Sequence, residues 1–116
     1  MADKMTKKKS SRFPGFYKLS LEERVATVGQ WAGLAEEECQ VLLGQGLRAE
    51  QASQMIENGI GTHALPLGIA VNFLVNDRDY LIPMAVEEPS VLAAVSHAAK
   101  LVRAGGGFHT DATPPV

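Results

Sequence analysis

Disulfides, membrane spans and a strong net charge are all missing from this sequence. It contains one cysteine, Cys39, which excludes an internal disulfide and fits a reducing compartment. No apolar run approaches the ~20 residues of a membrane-spanning helix. The formal net charge of −2 favours neither a nucleic-acid-binding protein nor a membrane-surface protein. The 116 residues therefore predict at most one domain with a modest core, in the cytoplasm.

The first eleven residues are basic and have no apolar periodicity. A phosphate-bearing ligand or nucleic acid would suit this run of lysines, but we favour a solvated, disordered leader. The rest of the chain is acidic, which weakens the nucleic-acid interpretation further. No apolar stretch follows the basic residues, as a secretory signal would require. The lysines are Lys4, Lys7, Lys8 and Lys9.

Three short helices are predicted between residues 20 and 58. Ser20 and Glu23 have the spacing of a capping box, which starts a helix that runs to about Gly33. The second helix begins with the glutamates of residues 36–38 and stops at Gly44 or Gly46, and the third covers about residues 49–58. The side chains expected to face the interior are Val41, Leu42, Ala52, Met55 and Ile56.

A β-hairpin is predicted next, with strands at about residues 72–75 and 80–86 joined through residues 76–79. Its second strand alternates Tyr80, Ile82, Met84 and Val86 onto one face. If the alternation continues, Glu88 falls on that apolar side and Glu87 on the other. Pro83 places the strand at an edge or in a bulge.

The last helix begins where Glu87 and Glu88 follow the strand. Pro89 suits its first turn, and the glycines of residues 105–107 end it. Its mostly apolar circumference predicts burial on most sides. Burial would make Glu88 a candidate catalytic acid, because burial and a neighbouring charge favour the protonated form more than a helix N-terminus favours the ionised form. In the alternative, both glutamates lie in solvent and complement the helix dipole.

Other sites have weak signals. The glycines of residues 57–62 permit a sharp turn and a close approach of a ligand, but a helix C-cap with nothing bound explains them as well. The sequence has no dinucleotide fingerprint and no P-loop. His63, His97 and His109 are too far apart for a local metal site, so we predict no metal.

Several motifs occur together in an order that resembles the beginning of a hydroxymethylglutaryl-CoA (HMG-CoA) reductase. The resemblance runs from about residue 12 to residue 110 and is to the soluble class II enzymes of bacteria and archaea. Each motif is weak by itself, whereas their order and spacing are specific. The motifs are RFPGF at 12–16, IENGIGT at 56–62 followed by LP at 65–66, VEEPS at 86–90 and KLVRAGGGF at 100–108.

This resemblance implies an α+β fold and an oxidoreductase. It implies a disordered leader over residues 1–11, a helical segment over 12–47, and the start of the large domain over 48–116, with a β-hairpin and a long buried helix. Glu88 matches the catalytic glutamate that works with a lysine to protonate the carbonyl oxygen. The residues that match the substrate-binding segments are Ser90, Glu57, Asn58 and Gly61. Gly59 departs from the valine that is usual in the family.

The family interconverts HMG-CoA and mevalonate plus CoA, with NAD(H) or NADP(H) bound by a domain absent from these residues. A lysine, an aspartate and a histidine of later family motifs are also absent. We therefore expect the first quarter of such an enzyme, inactive by itself, which forms a homodimer or higher homo-oligomer. The alternative is a stand-alone module that binds acyl-CoA or dimerises without catalysis.

Overall fold

The computed structural model describes residues 9–44 and 46–115, which form two compact units. One unit contains residues 9–14 and 65–115, and the other contains residues 15–64. Most of the predicted leader, residues 1–8, lies outside the described residues. Ser11 does not belong to a solvated leader, because it is fully buried in the first unit. The helical unit contains residues on both sides of position 47, and a domain boundary there stays a prediction.

The helical unit contains a 3₁₀ turn and three α-helices. The turn covers Phe16–Lys18, and the helices are α1 (Leu21–Ala32), α2 (Glu36–Leu42) and α3 (Ala49–Met55). The Ser20 hydroxyl accepts the Glu23 amide at 3.1 Å, which confirms the predicted N-cap. Gly33 ends α1 in the left-handed conformation, with φ of 71°. The first helix therefore has both predicted ends.

Helices α1 and α2 pack through Gly29 and Cys39. A Cβ atom at Gly29 would lie 2.7 Å from the Cys39 sulfur, so the glycine makes room for the thiol. At the start of α2 the Ala35 amide donates to the Glu38 carboxylate at 2.9 Å. Cys39 is half-buried and packs as a small apolar side chain against α1.

The prediction of which side chains of α2 and α3 face the interior is largely wrong. Of its five side chains, Ala52 is buried, whereas Val41, Leu42, Met55 and Ile56 are exposed. Helix α3 ends at Met55, three residues before its predicted end, because Ile56 is already extended with φ of −136°. A helix of only seven residues buries a narrow stripe of side chains, and in α3 the buried residue is Ala52.

The other unit is built on an antiparallel hairpin of β1 (Leu67–Val75) and β2 (Arg78–Ala85). Both strands differ from the prediction, since β1 begins five residues earlier and β2 extends back to Arg78. Asn76 and Asp77, with φ of 49° and 65°, form the two-residue turn. Positive φ at both positions is the geometry that matches the twist of a hairpin.

A β-bulge interrupts the hairpin. Ala70 pairs with Ile82 and Phe73 with Tyr80, so Val71 and Asn72 together face the single residue Leu81. Asn72 has a φ of 73°. In β2 the predicted alternation holds at Ile82 and Met84, which are less exposed than Pro83 and Ala85, whereas Tyr80 is exposed.

Helix α4 (Val91–Ala104) packs against β1 along one side only. The less exposed positions form a stripe at helical spacing. The prediction of burial on most sides is wrong for the described residues, because the opposite face carries exposed positions, such as Leu101 at 62% exposure. The helix also starts later than predicted, since Pro89 lies in the preceding turn. The stripe comprises Val91, Leu92, Val95, Ser96, Ala99, Val102 and Arg103.

The segment after α4 returns to the free edge of β1. The Phe108 amide donates to the Leu74 carbonyl, and the Asn76 amide donates to the Phe108 carbonyl, each at 2.8 Å. These bonds form a parallel bridge between Phe108 and Val75. Gly107 has a φ of 88°, and a Cβ atom there would lie 2.6 Å from the Leu74 carbonyl oxygen. Only glycine fits this approach, so α4 is tethered to the hairpin at both of its ends.

Candidate active site

The turn between β2 and α4 carries Glu88 and Ser90. Strand β2 ends at Ala85, and the Val86 amide donates to the Pro66 carbonyl at 3.1 Å. The strand alternation therefore stops three residues before Glu88. The structure agrees with the alternative of two solvent-exposed glutamates, since Glu87 and Glu88 are both exposed among the described residues.

Ser90 occupies the N-cap position of α4 with an unusual backbone. Its φ of 83° is left-handed, whereas N-cap serines normally have the extended backbone from which the hydroxyl reaches a first-turn amide. Within the described residues Ser90 makes no side-chain capping bond, and its carbonyl accepts the Ala94 amide at 2.9 Å. Left-handed non-glycine residues cost free energy and are concentrated at functional sites. The hydroxyl of Ser90 is thus not used to cap its own helix.

The remaining predicted site residues lie in the helical unit, in the segment after α3. Glu57 and Asn58 are exposed, and Asn58 is left-handed with φ of 58°. A Cβ atom at Gly59 would lie 2.9 Å from the Cα atom of Ser53, so the turn leaves no space for a larger residue. Gly61 completes this segment.

A polar cluster that the sequence did not predict connects three segments of the hairpin unit. Asp79 Oδ1 accepts from the Ser11 amide at 2.8 Å and from Arg103 Nη1 at 2.7 Å. The Ser11 hydroxyl lies 2.8 Å from the same oxygen and 3.0 Å from the Phe73 carbonyl oxygen. The Asp79 and Arg103 side chains are only 13% and 20% exposed. The sequence predicts Asp79 in the hairpin loop, and no local motif links Asp79 to Arg103.

The environment of Asp79 lowers its pKa below the usual 3.8. Burial by itself raises the pKa, but the hydrogen bonds from Arg103 and Ser11 and the charge of Arg103 outweigh it. The ionised carboxylate is therefore the form that the folded chain stabilises.

A depressed pKa in the folded state makes the stability contribution of Asp79 depend on pH. The contribution is complete above the unfolded value near 3.8 and is lost as the pH falls through the lower folded value. We expect the difference in unfolding free energy between the wild type and Asp79→Asn to be constant above about pH 5 and to shrink in stronger acid. Urea unfolding across this pH range measures the difference. A difference in unfolding free energy that does not shrink in acid would contradict a lowered pKa of Asp79 in the folded chain.

The described residues do not form a nicotinamide-dinucleotide site. The glycine-rich residues 105–107 follow the C-terminus of α4, so they lack the helix N-terminal amides that hold a pyrophosphate. No cluster of three metal-ligating side chains occurs in residues 9–44 and 46–115. None of the helices in those ranges has the length and apolar character needed to cross a membrane.

The described chain is thus an α+β protein. The turn between its hairpin and α4 carries the Glu88 carboxylate and the Ser90 hydroxyl, which makes no capping hydrogen bond. The family model for hydroxymethylglutaryl-coenzyme A reductase matches residues 20–115. The chain therefore belongs to the HMG-CoA reductase family, and the resemblance and α+β fold class stated from sequence are confirmed.

Individual relatives agree with this assignment. A reductase of Archaeoglobus fulgidus is 59% identical over 110 residues, which are 95% of this chain and 25% of that protein. A reductase of Catharanthus roseus is 31% identical, over 78% of this chain and 17% of that protein. The chain thus spans at most about a quarter of the length of these relatives.

Solved structures match in the same way. A Streptococcus pneumoniae reductase superposes with a TM-score of 0.72 and 38% identity, over 84% of this chain and 26% of that one. A class II reductase of the same organism, solved bound to NADPH in open conformations, gives a TM-score of 0.71 at 38% identity over 82% of this chain and 26% of that one.

Proposed function

We propose that this chain supplies the Glu88 turn of an HMG-CoA reductase, which interconverts HMG-CoA and mevalonate plus CoA. The observation that carries the proposal is the family membership together with the turn at residues 87–90, where a carboxylate precedes a left-handed serine. We expect the 116 residues not to turn over by themselves, because the partner lysine, aspartate and histidine belong to later motifs of the family and the described residues form no dinucleotide site.

Glu88 acts as the general acid in this proposal. It donates a proton to the carbonyl oxygen of the substrate as that oxygen gains charge, and the associated lysine stabilises the same oxygen. The hydride comes from NADH or NADPH held outside these residues. A thioester and a catalytic lysine next to Glu88 would exclude the water that now surrounds its exposed carboxylate.

The substrate is bound in this proposal by Ser90, Glu57, Asn58 and Gly61. The Ser90 hydroxyl is free of a capping bond and can hold the acyl group. Glu57 and Asn58 offer a carboxylate and an amide at exposed positions, and Asn58 has a left-handed backbone. We also propose a cytoplasmic protein and a homodimer or higher homo-oligomer; the exposed Ile56 and Ile60 beside this segment support self-association.

A hybrid enzyme tests the proposal. This chain replaces the 110 matching residues of the Archaeoglobus fulgidus reductase, to which it is 59% identical. We expect the hybrid to reduce NAD⁺ or NADP⁺ when mevalonate and CoA are supplied, and the 116-residue chain to be inactive. A hybrid that folds and assembles like the parent enzyme but stays inactive would contradict the proposal, and acyl-CoA binding by the chain alone would then favour a non-catalytic module.

A further inference from the structure

We propose that Asn72 is a positioning residue for the turn that carries Glu88 and Ser90. Its side chain fixes where α4 lies along β1, and the helix transmits that placement to its own N-terminus. The consequence for catalysis rests on the proposed function of Glu88, whereas the placement of the helix does not.

One residue of α4 is held by two directional bonds from the bulge. Asn72 Nδ2 donates to the Ser96 carbonyl oxygen at 3.1 Å. The neighbouring Val71 amide donates to the Ser96 hydroxyl at 3.0 Å. A shift of α4 by one residue would move Ser96 by about 1.5 Å along the axis and rotate it by about 100°, which would break both bonds. The pair therefore specifies the register of the helix.

The other contacts between α4 and the hairpin specify the register less strictly. Leu92 contacts Gly68, where an added Cβ atom would overlap the leucine side chain, but an apolar contact has little directionality. Arg103 bonds to Asp79 through a long side chain with several rotatable bonds. Ser96 lies six residues after Ser90, about 9 Å along a rigid helix, so its bonds also locate the N-terminus.

Asparagine meets both demands of the position. The bulge needs a φ of 73°, which asparagine tolerates better than most residues with a side chain. The additional bond to the Ser96 carbonyl oxygen requires a side-chain donor, which glycine and aspartate lack. The backbone amide of Asn72 also donates to the Ser11 carbonyl at 2.9 Å, so the bulge is held from its other side.

Two substitutions in the 116-residue chain test whether Asn72 fixes the position of α4, and the backbone amide NMR spectrum of each variant is the measurement. Asn72→Gly keeps the left-handed backbone and removes the donor, and Asn72→Asp places an acceptor opposite the Ser96 carbonyl oxygen. We expect both to move the amide resonances of residues 88–96 and to speed hydrogen exchange in α4 by roughly fivefold, as the loss of one hydrogen bond predicts.

The matched control is Asn76, which lies in the same strand-turn region. It is also left-handed, with φ of 49°, but its side-chain amide exchanges two 2.9 Å hydrogen bonds with Thr110 instead of contacting α4. Asn76→Gly and Asn76→Asp should leave residues 88–96 unchanged. If Asn72→Asp does not fold, Asn72→Gly decides the outcome, because glycine readily adopts the left-handed backbone of this position.

Unchanged resonances of residues 88–96 in folded Asn72→Gly would overturn the placement, and so would an equal effect of the Asn76 variants. In the hybrid enzyme we expect Asn72→Gly to lower kcat about tenfold and also to raise KM, because the displaced turn carries both the acid Glu88 and Ser90, which holds the acyl group. Moved resonances with an unchanged kcat would overturn the catalytic part. If Glu88→Gln keeps full activity, the proposed function fails and the placement of the helix stands.

Discussion

Replacing Glu88 by glutamine in the hybrid enzyme is expected to lower kcat by about 10²–10⁴-fold, the usual contribution of a positioned general acid. Glutamine has nearly the same size and still donates a hydrogen bond, but it cannot transfer a proton. The loss should therefore fall on the chemical step, with a small change in KM. Steady-state rates of mevalonate-dependent nicotinamide reduction measure both parameters.

Glu87→Gln is the control for this experiment. It removes the same charge one residue away, from a side chain that is equally exposed. We expect it to change kcat by less than about threefold, because surface charge one residue from the acid contributes little. Equal losses in the two variants would assign the effect to the net charge of the turn and would remove Glu88 from the catalytic role.

Replacing Asp79 by asparagine should destabilise the chain by roughly 1–3 kcal/mol, between the values for an exposed and a buried ion pair. The substitution preserves the size of the side chain, so no cavity forms. It leaves the Arg103 guanidinium, 20% exposed, without its carboxylate, and it weakens the two bonds from Ser11. The free energy of unfolding from urea titration at neutral pH measures the loss.

Asp77→Asn is the matched control, because Asp77 is exposed in the hairpin turn and has a φ of 65° that asparagine accepts. Its expected cost is below about 0.5 kcal/mol. Asp79→Asn combined with Arg103→Met should recover part of the loss, since the unpaired charge is then absent. A cost for Asp79→Asn no larger than that of Asp77→Asn would show that the cluster does not hold the N-terminal segment.

Features that depend on neighbouring residues were predictable from the sequence. The N-cap at Ser20, the end of α1 at Gly33 and the position of the hairpin loop, predicted at residues 76–79 and found at 76–77, use hydrogen bonds or backbone preferences that span two to five positions. The fold class follows from the same local information. The bounds of the strands were less accurate, because pairing at residues 67–71 is supplied by the partner strand rather than by local preference.

Features that depend on distant residues were not predictable. The environment of Glu88 depends on where strand pairing stops, and the pairing stops at Ala85. The burial of Ser11 depends on Asp79, which is 68 residues away in the sequence. The position of α4 on the hairpin depends on the bulge at Asn72, which lies 24 residues before Ser96. No periodicity within one segment contains this information, because each contact joins two segments.

The sequence by itself determined the family, the α+β class and the carboxylate-serine turn as the candidate site, because family motifs, caps and turns are written in consecutive residues. The tertiary structure decided that Ser11, Asp79 and Arg103 form a shielded cluster and that Asn72 holds α4 through Ser96. It also decided that Glu88 is exposed in the described chain. The physical reason is that burial and hydrogen-bond partners belong to the packed chain, whereas backbone preferences belong to each residue and its neighbours.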